Sequence, residues 1–368
     1  MARGIIDVHA HYQPAALHAF MTRFNQATVL PGVPWTDKAE HIGERLRLMD
    51  LAGVRMQVLS PGTTHYFGDP RIASEAARLL NDSFSDLAST HPDRISVYAS
   101  LPLPHIEESL RELERAARLP GIVGVTCHCS ILGKSLAAPE FDSVYEELNR
   151  RAAILFLHPC RNGACSALIN DYHLAEAFGT CVEDALAVLH LIVRQIPHRY
   201  PRIRFIVPHL GGLLPTLLER LDNQLPKAHP QLPEPPSTSA RRFWYDTVSH
   251  GSRAALRCAC ESFGSGRLLP GSDFPLLLYH EPYDRTFSYI ESSGLSDSDL
   301  ASILRENGER LFEAAHIRGT RHTLQGHFDT VLEKIPRLNH ACGNSLRHLR
   351  SGAAADGGPV ARVLARPP

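Results

Sequence analysis

At 368 residues, with 43% hydrophobic and 21% charged side chains, the chain has the composition of a globular protein able to bury a sizeable core. A formal net charge of −1 gives no electrostatic handle for nucleic acid or an acidic membrane surface. No apolar run has the length of a membrane span, so the function classes left are those of a protein acting on small molecules or on other proteins.

The first predicted element is a strand over Ile5–His9 in "IIDVHAHY", which puts Asp7, His9 and His11 at alternate positions and hence on one face. Residues 12–38 follow as a long loop with prolines around "LPGVPW", a lid or hairpin over whatever that strand presents. "HIGERLRLMDLAG" is apolar at Ile42, Leu46 and Met49 and ends on Gly53, the pattern of a helix with a glycine C-cap. From there short β-branched runs alternate with amphipathic segments. The strands are Met56–Ser60, Ile95–Leu101, Ile122–Cys127, Ile154–His158, Ile203–His209, Phe243–Thr247 and Leu268–Asp273. The helices between them begin with "RIASEAARLLNDSFSDLASTH" and end with "DSDLASILRENGERLFEAA". Eight βα units predict an α/β fold, a (β/α)₈ TIM barrel over residues 1–315 with an insertion after the first strand. A doubly wound open sheet is the competitor, disfavoured because no GxGxxG follows the first strand. Residues 316–368 form a C-terminal extension, helical through "FDTVLEKI" and then of disordered composition.

Polar side chains recur where these strands end. Strand one carries His9 and His11, strand five His158, strand six His209 and strand eight Asp273. Barrel enzymes place their chemistry at that end, and several imidazoles with one carboxylate suit a divalent metal, most simply Zn²⁺, with Mn²⁺ or Fe²⁺ as alternatives. Taken singly, His158 after the apolar "ILFL" also fits a core histidine, and Asp273 fits a turn cap. Asp7, deeper on the strand, is read as supporting the site rather than ligating. Four of the eight cysteines form CxC pairs, Cys127/Cys129 and Cys258/Cys260, not the CxxC of a zinc knuckle, and all eight are read as reduced thiols. "MARG" has neither the apolar stretch nor the cleavage site of a signal peptide, a reading that places the chain in the cytoplasm.

In order, "DVHAHY", "FLHPC", "VPHLGG" and "GSDFP" resemble the amidohydrolase superfamily, and within it the branch of aminocarboxymuconate-semialdehyde decarboxylase and related aromatic-acid decarboxylases. The resemblance implies His9, His11, His158 and Asp273 as metal ligands and His209 as the catalytic histidine, acting on metal-bound water. Asp273 would double as a proton acceptor. It also implies a homodimer in which Arg220, within "LLERLDN", reaches the neighbouring subunit's site to hold a substrate carboxylate; on its own, Arg220 reads equally as a solvated helix residue. Two further family arginines are not reproduced: one aligns near Ala228, with Lys227 the closest cation, and for the other only Arg23 offers itself. His128, ending strand four, is either a pocket residue or a buried structural histidine. The activity implied is metal-dependent, non-oxidative decarboxylation of a small unsaturated or aromatic acid. The alternatives are hydrolysis of a lactone, amide or ester by the same site, or a catalytically silent barrel used for binding.

Overall fold

The computed structural model describes residues 4–24, 32–62 and 65–313. The expected extension over 316–368 lies outside the described residues.

Eight parallel strands lie side by side in chain order: β1 Ile5–His11, β2 Val54–Ser60, β3 Ile95–Ser100, β4 Ile122–His128, β5 Ile154–His158, β6 Arg204–Val207, β7 Trp244–Asp246 and β8 Leu268–Leu269. Closure is made just beyond β8: Asp273 N–H donates to the His9 carbonyl at 2.8 Å and Ala10 bridges Phe274 in parallel register. This is the (β/α)₈ barrel that the alternation of apolar runs predicts. All eight expected strands are present, but two end well short of the expected residue for a reason written in the sequence. Pro208 and Pro270 follow the last paired residues of β6 and β8, and a proline has no N–H for the ladder. His209 and Asp273 consequently sit on loops just past their strands.

The barrel's inside is filled by Ile6, Val58, Tyr98, Phe156, Ile206 and Leu269, with Leu311 from the last helix joining them. Each such side chain contributes roughly 1.5–3 kcal/mol by leaving water. A second, larger apolar layer lies between strands and helices, where Leu80 and Phe84 of α3 (Pro70–Thr90) and Leu191 of the Thr180–Val193 helix are packed. Local signals set the helix ends. Asp69 accepts from the N–H groups of Arg71 and Ile72 to start α3, and Gly53, at φ +70°, ends α2 (Ala39–Ala52). The region after β1 is not simply a loop: Ala15–Thr22 forms α1, whose Leu17, Phe20 and Met21 are buried. The described part of the last helical stretch runs Asp297–Ala301, Ser302–Glu306 and Asn307–Glu313. Among the described residues no helix is long and apolar enough to cross a membrane, and the seven described cysteines are free thiols.

One sequence expectation changes here. The pairing of β1 with β2 slips between Asp7 and Ala10, so Asp7 leaves the face that carries His9 and His11. Its carboxylate accepts from Ser272 Oγ at 2.6 Å, Tyr283 OH at 2.7 Å and Gln57 Nε2 at 3.1 Å. Burial pushes this carboxyl up to about 6 against those bonds. Gln57 in turn accepts from the fully buried Arg45 of α2, which also donates to the His11 carbonyl at 2.6 Å. Asp7 thus braces β1 from the helix side.

Candidate active site

His9 and His11 end β1, His158 ends β5, and Asp273 follows β8, so four side chains from three distant stretches reach one mouth of the barrel. They meet there. The Nε2 atoms of His9 and His11 are 3.2 Å apart, as are those of His11 and His158. Asp273 Oδ1 lies 2.8 Å from His11 Nε2 and 3.4 Å from His9 Nε2. One ligating atom from each of the four fits within a 4.8 Å span.

The other ring nitrogens explain what the cluster is for. His9 Nδ1 faces the Asp246 carboxylate at 2.7 Å, His158 Nδ1 faces the Pro159 carbonyl at 3.0 Å, and His11 Nδ1 faces Ser60 Oγ at 3.1 Å and its carbonyl at 3.4 Å. Carboxylate and carbonyl oxygens only accept, so each Nδ1 carries the proton and each Nε2 turns a lone pair inward. Neutral imidazoles in that arrangement repel one another; a cation between them removes the conflict. The separations match the roughly 3.3 Å edge expected between nitrogens of a four-coordinate ion with bonds of about 2.05 Å. Without an ion, a proton takes the central place instead: burial pulls the His9 imidazole down, yet Asp246 and Asp273 outweigh it and push it up to about 10, so a cation seated there would displace that proton. Burial lowers His11, and lowers His158 further with help from the neighbouring His11 and His9. Burial would raise Asp273, but hydrogen bonds from His11 and His9 hold its carboxyl well below the usual range. Nitrogen and oxygen donors of this kind make a divalent-metal site.

His209 stands beside the cluster, not in it, with its ring centroid 5.4 Å from that of His9. It sits on a turn, His209–Gly211, whose residues all have positive φ, as does Gly212. A Cβ on Gly212 would lie 2.0 Å from the Cys181 carbonyl oxygen, which explains the second glycine of "PHLGG". His209 Nδ1 is 2.8 Å from Asp184 Oδ2, leaving Nε2 for the cleft. Burial opposes its charging, but Asp184 prevails and the His209 pKa is raised. Asp246 ties the two parts together: one oxygen binds His9, the other accepts from the His209 N–H at 2.9 Å.

Above these groups opens a cleft of about 910 Å³, lined by His158, Arg161, His209 and Asp273 and, on an apolar wall, by Val248 and Leu277. Arg220 is exposed on the helix Leu218–Ala228 and does not line this cleft, and Lys227 is exposed on the same helix. Arg23 is exposed at the end of α1, 3.5 Å from Glu75. His128 is buried at the end of β4, its ring 5.8 Å from that of His158, and is not among the cleft's lining residues. Sequence reasoning missed three groups. Asp246 was within reach, because the predicted strand Phe243–Thr247 carries it at the same end as the other polar residues. Asp184 sits in a helix where acids are ordinary, and Arg161 follows a strand end without any motif of its own.

Known proteins share this arrangement of chain. The amidohydrolase family model matches residues 6–314. A 2-amino-3-carboxymuconate-6-semialdehyde decarboxylase of Dictyostelium discoideum is 28% identical over 241 residues, 64% of this chain and 66% of that protein. A 6-methylsalicylic acid decarboxylase of Penicillium expansum is 29% identical over 311 residues, 81% of this chain and 93% of that one. The fold is that of a dihydroxybenzoic acid decarboxylase from Polaromonas, solved with bound manganese and 2-nitroresorcinol: the TM-score is 0.70 and the identity 22%, over 84% of this chain and 97% of the other. A model spanning nearly the whole barrel and decarboxylases aligned along it lead to one conclusion: the chain belongs to the amidohydrolase family.

Proposed function

We propose that this protein is a metal-dependent, non-oxidative decarboxylase of a small aromatic or unsaturated carboxylic acid. The observation that carries the reading is the proton-locked trio of His9, His11 and His158, whose inward lone pairs converge with Asp273 beneath a cleft that also holds His209. Those four residues are the ligands, with Zn²⁺ first and Mn²⁺ or Fe²⁺ as alternatives. The ion would act as a Lewis acid that polarises substrate oxygens.

The chain's own groups do the rest. Asp184 orients the His209 ring and raises its pKa, and Nε2 delivers a proton to the ring carbon that bears the carboxylate. That carbon then withdraws the electron pair of its bond to the carboxylate, the bond breaks and CO₂ leaves. In sum, one acid anion and one proton give one neutral product and CO₂. Asp273 serves as ligand and takes a substrate hydroxyl proton as the ring carbon is protonated, handing it back to the same oxygen as CO₂ leaves. The apolar wall of Val248, Leu276 and Leu277 takes the flat ring and limits water.

The relatives' names favour this chemistry over hydrolysis of a lactone, amide or ester by the same site. In this reading residues 1–315 are the catalytic unit, residues 316–368 an extension, and the enzyme a cytoplasmic homodimer. The dimer would give the exposed Arg220 a use in the neighbouring cleft. The test is to load the protein with Zn²⁺ or Mn²⁺ and follow CO₂ from 6-methylsalicylate, dihydroxybenzoates and muconate-type acids. Ester or lactone hydrolysis without CO₂ from any acid would overturn the reading.

A further inference from the structure

We propose that Arg161, from the same chain as the metal cluster, receives the substrate's carboxylate and so selects acids over neutral phenols. The inference rests on the decarboxylase reading and names the group that makes it specific.

Among the described residues that line the cleft, Arg161 is the one lysine or arginine. It lies three positions after His158, so the strand that places a ligand also places this cation. The turn that carries it is fixed from behind. Asn162 and Gly163 each donate a backbone N–H to the buried Glu183 carboxylate at 2.9 Å, and Cys160 N–H does so as well. Arg161 itself has φ +59°, the left-handed conformation that a non-glycine residue adopts only when its surroundings hold it there. Its peptide is thus the crest of a loop wrapped around a carboxylate.

The guanidinium remains available. Its ion-pair partner is Glu176, 3.8 Å away and 73% exposed across the rim. An exposed pair of that length is worth little, so a ligand carboxylate can replace Glu176 at small cost. A planar fork of donors matches a carboxylate in a two-bond pairing, which a phenol cannot offer. Val248 and Leu277 then meet the ring, and its reacting end faces Asp273 and His209.

The same physics fixes the kinetic signature. A pair to the carboxylate that will leave as CO₂ stabilises the bound acid at least as much as the transition state. Removing it raises KM and leaves kcat unchanged or higher.

The experiment uses the full-length, metal-loaded protein and two probes, 2,6-dihydroxybenzoate and its neutral counterpart resorcinol. In Arg161→Met the acid binds roughly 30-fold more weakly while resorcinol changes less than about twofold, and Arg161→Lys restores part of the difference. KM for a turned-over acid rises in parallel, with metal content unchanged. Equal weakening of both probes, or no weakening of the acid, overturns the inference. So does a discrimination lost in Arg220→Met and kept in Arg161→Met. A wild-type protein that neither binds the acid nor releases CO₂ from any acid sinks the decarboxylase reading and this inference with it. One that does both, with Arg161→Met indistinguishable, sinks the inference alone.

Discussion

The floor of the cleft and its rim are built on opposite terms. On the floor, His9 and His11 are fully buried, and each imidazole of the trio spends its outer nitrogen on an acceptor. On the rim, residues 163–179 pass through short turns with Ala164, Cys165, Tyr172 and His173 at positive φ, and leave Leu168 and Tyr172 each 84% exposed. The difference separates two tasks. Reaction chemistry needs groups held to a fraction of an ångström by neighbours that cannot rearrange; choosing a substrate needs reach and tolerance, which a loop on a rigid scaffold supplies.

Substitutions can break or sharpen that contrast. The largest effect is expected for His158→Ala, which should lose metal and turnover together, as metal analysis and CO₂ assay on one preparation would show. A variant that keeps stoichiometric metal and full activity would abolish the distinction. His209→Ala should retain the metal and lose turnover by roughly 10²-fold or more, the scale of a missing proton donor. Asp184→Asn tests how that donor is tuned. Burial alone lowers the His209 pKa and the Asp184 carboxylate raises it, so without the carboxylate the imidazolium deprotonates at lower pH. The alkaline limb of the kcat/KM profile should therefore move to lower pH, and an unmoved limb would remove His209 from the proton-donor role. Smallest of all, Leu168→Ser on the rim should alter stability by no more than about 0.5 kcal/mol in denaturant titration. A loss of several kcal/mol would show that the rim is part of the core after all.

How far the sequence reached follows the same division. The eight strands were legible because buried parallel strands are short apolar runs, and the candidate metal residues because they recur where those runs end. Asp7 was misjudged since strict alternation fails where β1 slips against β2, a shift that depends on the neighbouring strand and leaves no mark in "IIDVHAHY". Helix α1 was hidden in the long segment after β1, where flanking prolines and glycine read as loop. Asp184 and Arg161 became visible only in three dimensions. One is an acid among others on a helix, and the other acquires meaning from a cleft whose wall includes Asp273 and Leu277, more than a hundred positions away.

The bond between Ala10 and Phe274 that closes the barrel has a consequence for how the molecule comes together. His11 and Asp273, 262 residues apart in sequence, face each other across that seam, so the proposed metal site exists only once the first and last strands have met. Bringing such remote ends together is entropically costly and comes late in folding. An ion seated there works as a clasp on the cylinder: it favours the zipped form over every partly open one, and its removal would be felt first as a loosened first strand.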